Sequence, residues 1–141
     1  SALLLPLKDA KLVLVDVADI AKAASLLLTT PGHEGKIYAM SGPEALSMKE
    51  IAEQISLAAG KTVQYVSISR EERRQALLAA GVPSFFVDAL DIQADERLKG
   101  TEAIVHSETH TALGISPTTF AEFARRNAGT FLGESGYVGL K

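Results

Sequence analysis

GHEGKIYAMSGPEALSMKEIAEQISLAAGKTVQYVSIS, Gly32 to Ser69, is the stretch that decides the fold. At its centre is a helix whose two ends are both written in the residues. Ser47 and Glu50 have capping-box spacing, in which the serine hydroxyl takes the amide three residues on and the carboxylate reaches back. Leu46 and Ile51 stand at the staple positions on either side of that cap. Ile51, Ile55, Ala58 and Ala59 recur as a buried stripe, and Gly60 permits a left-handed C-terminal turn. Gly35–Ser41 is an expected strand, and Ile37, Tyr38, Ala39 and Met40 leave neither of its faces polar. Strands apolar on both faces belong to parallel sheets covered by helices. Val63–Ile68 is a further expected strand.

Upstream, Lys11–Asp16 (KLVLVD) is short, β-branched and apolar, as a buried strand is. Asp16 then sits where a helix N-cap belongs. Ile20, Ala24, Leu27 and Leu28 share one helical face, with Asp19 and Lys22 off it, until Thr29-Thr30-Pro31-Gly32 ends the helix. Downstream, Ser69 and Glu72 repeat the capping-box spacing and open a helix that stops at Gly81. Beyond Pro83, the residues Phe85, Phe86, Ala89, Leu90 and Ile92 carry another amphipathic helix towards Gly100. Residues 101–115 are weakly patterned. Ser116-Pro117 is expected to open the last helix, with Phe120, Phe123 and Ala124 facing inward. The order β-α-β-α-β followed by helices predicts an α/β fold with right-handed parallel connections. One domain over residues 1–132 is expected, with 133–141 as a flexible tail.

Composition narrows the function classes. A chain of 141 residues can bury a core without metals or disulfides, and with 47% hydrophobic but only 6% aromatic residues that core must be mainly aliphatic. A net charge of −3 gives no electrostatic basis for nucleic-acid binding, which demands clustered Lys and Arg. The absence of cysteine removes disulfides, thiolate zinc sites and thiol catalysis, and suits a reducing cytoplasm. No apolar run reaches membrane-spanning length, and Ala2–Leu5 lacks the cationic start of a signal peptide.

Five segments together carry a family resemblance: VDVADIAKAA (Val15–Ala24), GKIYAMSGPEALSMKEIAEQIS (Gly35–Ser56), AAGKTVQYVSIS (Ala58–Ser69), AAGVP (Ala79–Pro83) and LGISPTTFAEFARRNA (Leu113–Ala128). In this order and spacing the chain resembles the C-terminal half of NmrA-like proteins, atypical short-chain dehydrogenase relatives that include quinone-reductase-like enzymes and redox-sensing regulators. The resemblance implies a partial Rossmann-type arrangement. The strand matching Lys36–Ser41 would join the sheet of the family's nucleotide-binding half, and those matching Lys11–Asp16 and Val63–Ile68 would pair in a smaller substrate lobe. It also implies an NAD(P)H cofactor for the full-length family and a substrate pocket of which this chain supplies one wall. No G-x-G-x-x-G loop follows any strand here, so nothing cradles a pyrophosphate on backbone amides. The chain alone is expected to hold no cofactor and to carry no catalytic residues.

Other constellations compete with plain structural roles. Val82, Phe85 and Phe86 are candidates for the apolar wall of a substrate pocket, with core packing as the alternative. His106, Glu108 and His110 (HSETH) have metal-ligand character, but the glutamate is misplaced for H-E-x-x-H, and a solvated turn is the competing reading. Tyr137 and Lys141 match the Tyr-x-x-x-Lys spacing of short-chain dehydrogenases, yet GYVGLK offers no helix to hold them side by side. Gly133-Glu134-Ser135-Gly136 misses the G-x-S-x-G elbow by one position. Arg70 to Arg74 (REERR) reads as a solvated helix start with local ion pairs.

The leading expectation is therefore the substrate lobe of an NAD(P)-dependent NmrA-like oxidoreductase, not competent alone. A non-enzymatic NAD(P)-sensing interaction module and a small metal-dependent hydrolase are the alternatives. Expected partners are a second copy, through Lys36–Ser41, or a nucleotide-binding half, with a small apolar ligand possible. Neither nucleic acid nor membrane is an expected partner.

Overall fold

The computed structural model describes residues 1–133. Helix α2 (Met48–Ala59) is the centre of the core, and it is built as its sequence dictates. Ser47 accepts the Glu50 amide at 3.3 Å, and the Glu50 carboxylate takes the Ser47 amide at 2.7 Å. At the other end Gly60 adopts φ +64°, a conformation that costs other residues a steric clash. The face bearing Met48, Ile51, Ala52 and Ile55 is buried against Leu7, Leu46, Val63 and Ala94. Burying each large aliphatic side chain contributes about 1.5–3 kcal/mol.

Two small sheets flank α2. Strand β1 (Ala2–Leu5) pairs in parallel with β4 (Gln64–Ser67), and β2 (Lys11–Leu12) pairs antiparallel with β3 (Leu46–Ser47). The Ser56 hydroxyl accepts the Val63 amide at 2.8 Å and lies 2.7 Å from the Ala52 carbonyl, tying α2 to the start of β4. Tyr65 reaches from β4, donating to the Leu5 carbonyl at 3.0 Å and accepting the Leu7 amide at 3.3 Å. The remaining helices are α1 (Val17–Thr29), α3 (Arg70–Ala79), α4 (Ser84–Lys99), α5 (Glu108–Leu113), α6 (Phe120–Arg126) and α7 (Ala128–Leu132). None of the described helices is long and apolar enough to cross a membrane.

The α/β class stands, but individual strands differ from the sequence reading. The family resemblance pairs Val63–Ile68 with Lys11–Asp16; the observed partner is Ala2–Leu5, in register from Ala2 with Gln64 to Leu5 with Ser67. Only Lys11 and Leu12 of the expected Lys11–Asp16 strand lie in a ladder. The chain beyond them runs against Gly42, where a Cβ would sit 1.7 Å from the Leu14 carbonyl oxygen. Residues 36–41 lie outside any ladder and any helix. Side chains hold them instead: Thr109 donates to the Ala39 carbonyl, and the Ser41 hydroxyl accepts the His106 amide at 2.7 Å.

Two helix expectations also change. The last helical region starts at Phe120 and not at Ser116-Pro117, because Thr119 and Glu122 form a third capping box. Thr118, just before it, is committed elsewhere: its amide and hydroxyl both donate to Asp19. Residues 101–115, weakly patterned in sequence, contain α5, which ends at Gly114 with φ +64°. Of the expected tail, residues 133–141, Gly133 caps α7, and 134–141, with Ser135, Tyr137 and Lys141, lie outside the described residues.

Candidate functional site

Helices α3 and α4 form an antiparallel pair joined by the turn at Gly81–Pro83. Val87, Asp91 and Ala94 are the buried residues of α4. At 3.6 residues per turn this stripe leaves Phe85 roughly 150° away around the helix axis. Phe85 and Phe86 are accordingly 73% and 52% exposed, and Ile92 is 65% exposed. Val82, in the turn, is half-buried. The three candidate wall residues thus sit together at the N-terminal end of α4 and the turn before it. The phenylalanines lie on its outer surface, so the core-packing alternative does not describe them.

Ion pairs join the two helices beside the buried Val87 and Ala94. Arg73 donates to the Asp91 carboxylate at 2.7 Å, with both side chains 11% exposed. Arg74 donates to the other Asp91 oxygen at 3.1 Å and to Asp88 at 2.7 Å, while Arg70 pairs with Asp95. Burial by itself raises the Asp91 carboxyl, but the Arg73 and Arg74 guanidiniums outweigh it and hold Asp91 below the usual aspartate range. The arginines of the REERR run therefore pair across to α4, not within their own helix. Their nesting about the Gly81–Pro83 turn was the available signal: arginines before the turn, aspartates after it, at matching distances.

A second polar node lies under α1. Asp19 accepts the Thr118 amide at 2.7 Å and the Thr118 hydroxyl at 3.0 Å, with Lys22 at 3.5 Å. Burial raises its carboxyl, and the Thr118 hydrogen bonds with Lys22 more than offset that, leaving Asp19 below its ordinary value. His110 is buried beside it, Nε2 being 3.8 Å from Asp19 Oδ2 with no hydrogen-bond partner. His106 faces the surface, 3.8 Å from Glu108. The HSETH residues are thus divided between surface and interior. Among the described residues no group of three or more His, Cys, Asp or Glu side chains gathers as a metal site.

Burying Asp19 turns the apolar side of α1 outward. Val17, Ile20 and Leu28 are exposed, Leu28 to 86%, and nearby in sequence Ile37 is 97% exposed. At the N-terminal end of α1, Leu14, Val15, Val17, Phe120 and Phe123 line an apolar cleft of about 240 Å³ with Asp16, Thr118 and Thr119 at its polar edge. Arg126 pairs with Asp16 there. Of the residues expected to face inward, Ala124 is fully buried, Phe120 is half-buried against the core, and Phe120 and Phe123 both line this cleft. His33 Nδ1 lies 2.6 Å from the Tyr38 hydroxyl, and its Nε2 lies 2.8 Å from the Thr30 hydroxyl.

Comparison with known proteins places these features. The NmrA-like family model matches residues 1–124. An NAD(P)H azoreductase of Xenophilus azovorans is 38% identical over 131 residues, 90% of this chain and 44% of the relative. Quinone oxidoreductase 2 of Escherichia coli is 30% identical over 117 residues, 81% of this chain and 40% of the relative. The crystal structure of Citrobacter triphenylmethane reductase complexed with NADP(H) matches at TM-score 0.78 and 28% identity, covering 90% of this chain and 44% of that one. The NADPH complex of an Escherichia coli NADPH-dependent quinone oxidoreductase matches at 0.77 and 28%, over 89% of this chain and 44% of that one. The chain spans less than half the length of these relatives, which are NAD(P)H-dependent oxidoreductases. With all but the last 17 residues inside the family model, the chain belongs to the NmrA-like family.

Proposed function

We propose that residues 1–132 act as the substrate lobe of an NAD(P)H-dependent reductase. In this reading Val82, Phe85 and Phe86 form the wall against which a small apolar acceptor, such as a quinone, lies. One observation carries it: α4 buries a carboxylate and turns its phenylalanines outward. A helix serving only its own core does the reverse. Flat aromatic side chains suit a planar acceptor because ring stacking adds to simple burial. The reduced nicotinamide would supply hydride, and no glycine-rich loop of this chain would bind its pyrophosphate. That contribution would come from a nucleotide-binding segment such as the relatives' remaining length.

The test joins this chain to the nucleotide-binding half of the Xenophilus azovorans azoreductase. NADPH oxidation is then followed with 1,4-naphthoquinone and with an azo dye. The expected result is acceptor-dependent turnover, with KM raised by Phe85→Ser and Phe86→Ser and kcat little changed. Binding of NADPH without turnover for any acceptor would instead favour the NAD(P)-sensing interaction module.

A further inference from the structure

We infer that Arg73 and Asp91 are positioning residues for the acceptor wall: their buried ion pair fixes the rotation of α4 and so keeps Phe85 and Phe86 displayed. The wall's role rests on the reading proposed above, but the rotational claim stands on geometry alone. Helix α4 carries two candidate faces. One bears Phe85, Phe86, Ala89 and Ile92, all exposed; the other bears Val87, Asp91 and Ala94, all buried. Burial of apolar area by itself favours the first, since two phenylalanines and an isoleucine outweigh a valine and an alanine. The observed rotation is the second.

What opposes the roll is the carboxylate. Turning α4 to bury Phe85 would carry Asp91 away from Arg73 and leave a buried guanidinium without its counter-ion, a severe cost. Arg73 is itself buried, and its Nε already lacks a hydrogen-bond partner, so losing Asp91 would leave the guanidinium with a second unmet donor. Arg74 reinforces the setting by joining Asp91 to Asp88, one turn earlier on the same helix. A buried ion pair contributes little net stability compared with well-packed apolar residues, so its structural return lies in geometry. Here that geometry is which face of α4 meets solvent.

The chain contains no tryptophan, so Phe85→Trp installs a single reporter. It is made in the native background, in Arg73→Met/Asp91→Leu, and in Asp91→Asn, which keeps the volume and removes only the charge. With the ion pair present, the indole emits as an exposed group and is readily quenched by acrylamide. In the Met/Leu variant the quenching constant is expected to fall at least about threefold, with a blue shift, as the ring enters a packed interior. Asp91→Asn shifts it in the same direction by less, and Asp91→Glu restores the native value. Unchanged quenching in both folded variants overturns the proposal, and if the double variant does not fold, unchanged quenching in Asp91→Asn does so alone. A parallel titration with 1,4-naphthoquinone separates the two readings. Saturable perturbation of the indole emission that is lost with the ion pair supports both. A rotation-dependent indole that never meets the quinone supports the positioning role and counts against the acceptor wall.

Discussion

Helix α2 gathers its large apolar residues on one face, whereas α4 spreads them around its axis, and the two helices bury different things. In α2 the apolar stripe Met48, Ile51, Ala52 and Ile55 is the buried stripe, and the polar side faces out. In α4 the two phenylalanines and Ile92 face out while Asp91 is buried. Helix α1 follows α4, burying Asp19 and exposing Leu28. Two kinds of helix thus share this fold. One satisfies the lobe's own core. The others bury a hydrogen-bonded carboxylate and leave large apolar side chains exposed. Such a carboxylate is an anchor satisfied only in one orientation, so it fixes the helix in a way that greasy contacts do not.

The comparison breaks first at the interior, where effects should be largest. Gly42→Ala places a Cβ 1.7 Å from the Leu14 carbonyl oxygen, a backbone atom that cannot swing aside. The expected loss is at least about 3 kcal/mol, read as a shift of the urea midpoint or as failure to fold. Ile55→Ala, in the buried stripe of α2, should cost about 2–5 kcal/mol by the same measurement. Ile92→Ala on the exposed face of α4 should change stability by no more than about 0.5 kcal/mol. A cost for Ile92 as large as that for Ile55 would erase the distinction between the two helices.

How much of this was legible follows the same division. The cap and stripe of α2 could be read because every signal there is local: Ser47, Glu50 and Gly60 act on their own helix, and Ile51 and Ile55 face the nearest core. The capping box at Ser69 was legible for that reason as well. The inverted helices were not, because periodicity reports which residues share a face and not which face is buried. That choice was made by distant partners, Thr118 for Asp19 and Arg73 for Asp91. Strand pairing failed similarly. KIYAMS reads as a strand, but it joins no ladder among the described residues, and Thr109 donates to the Ala39 carbonyl while the His106 amide donates to the Ser41 hydroxyl. Of the candidate site, the placement of Phe85 and Phe86 together beside Val82 could be read from sequence, whereas the ion pairs beneath them could not.

The buried carboxylates should give effects of intermediate size. Asp19→Ala leaves the Thr118 amide and hydroxyl without their acceptor, at an expected cost of about 2 kcal/mol. Asp19 is held below its ordinary value when folded, so it contributes stability that is present above its unfolded value and lost as pH falls through the lower, folded one. Thermal melts through the acid range should therefore show a steeper fall for the native chain than for Asp19→Asn, and parallel curves would refute the anchor. Ser47→Ala is expected to cost about 1 kcal/mol, the usual loss for an N-cap serine. Urea melts read it directly, and an unchanged midpoint would mean that the cap at the head of α2 adds nothing to its packing.

The smallest effect on stability belongs to the outward apolar face of α1 and the segment after it, where a different quantity should move. Leu28→Lys and Ile37→Lys change side chains that are 86% and 97% exposed, so each should alter the urea midpoint by less than about 0.5 kcal/mol. Large contiguous apolar patches are rare on soluble monomers, and residues 36–41 lie outside any ladder. We propose that the isolated chain covers this face with a second copy, a two-fold contact in which each patch meets its twin. Light scattering at high micromolar concentration is expected to give a dimer for the native chain and a monomer for Leu28→Lys/Ile37→Lys. The inverted face of α4 supplies the control, because Ile92→Lys should leave the dimer intact if association runs through α1. A monomeric native chain would show that an exposed apolar face on α1 is tolerated alone, and dissociation by Ile92→Lys would move the contact to α4.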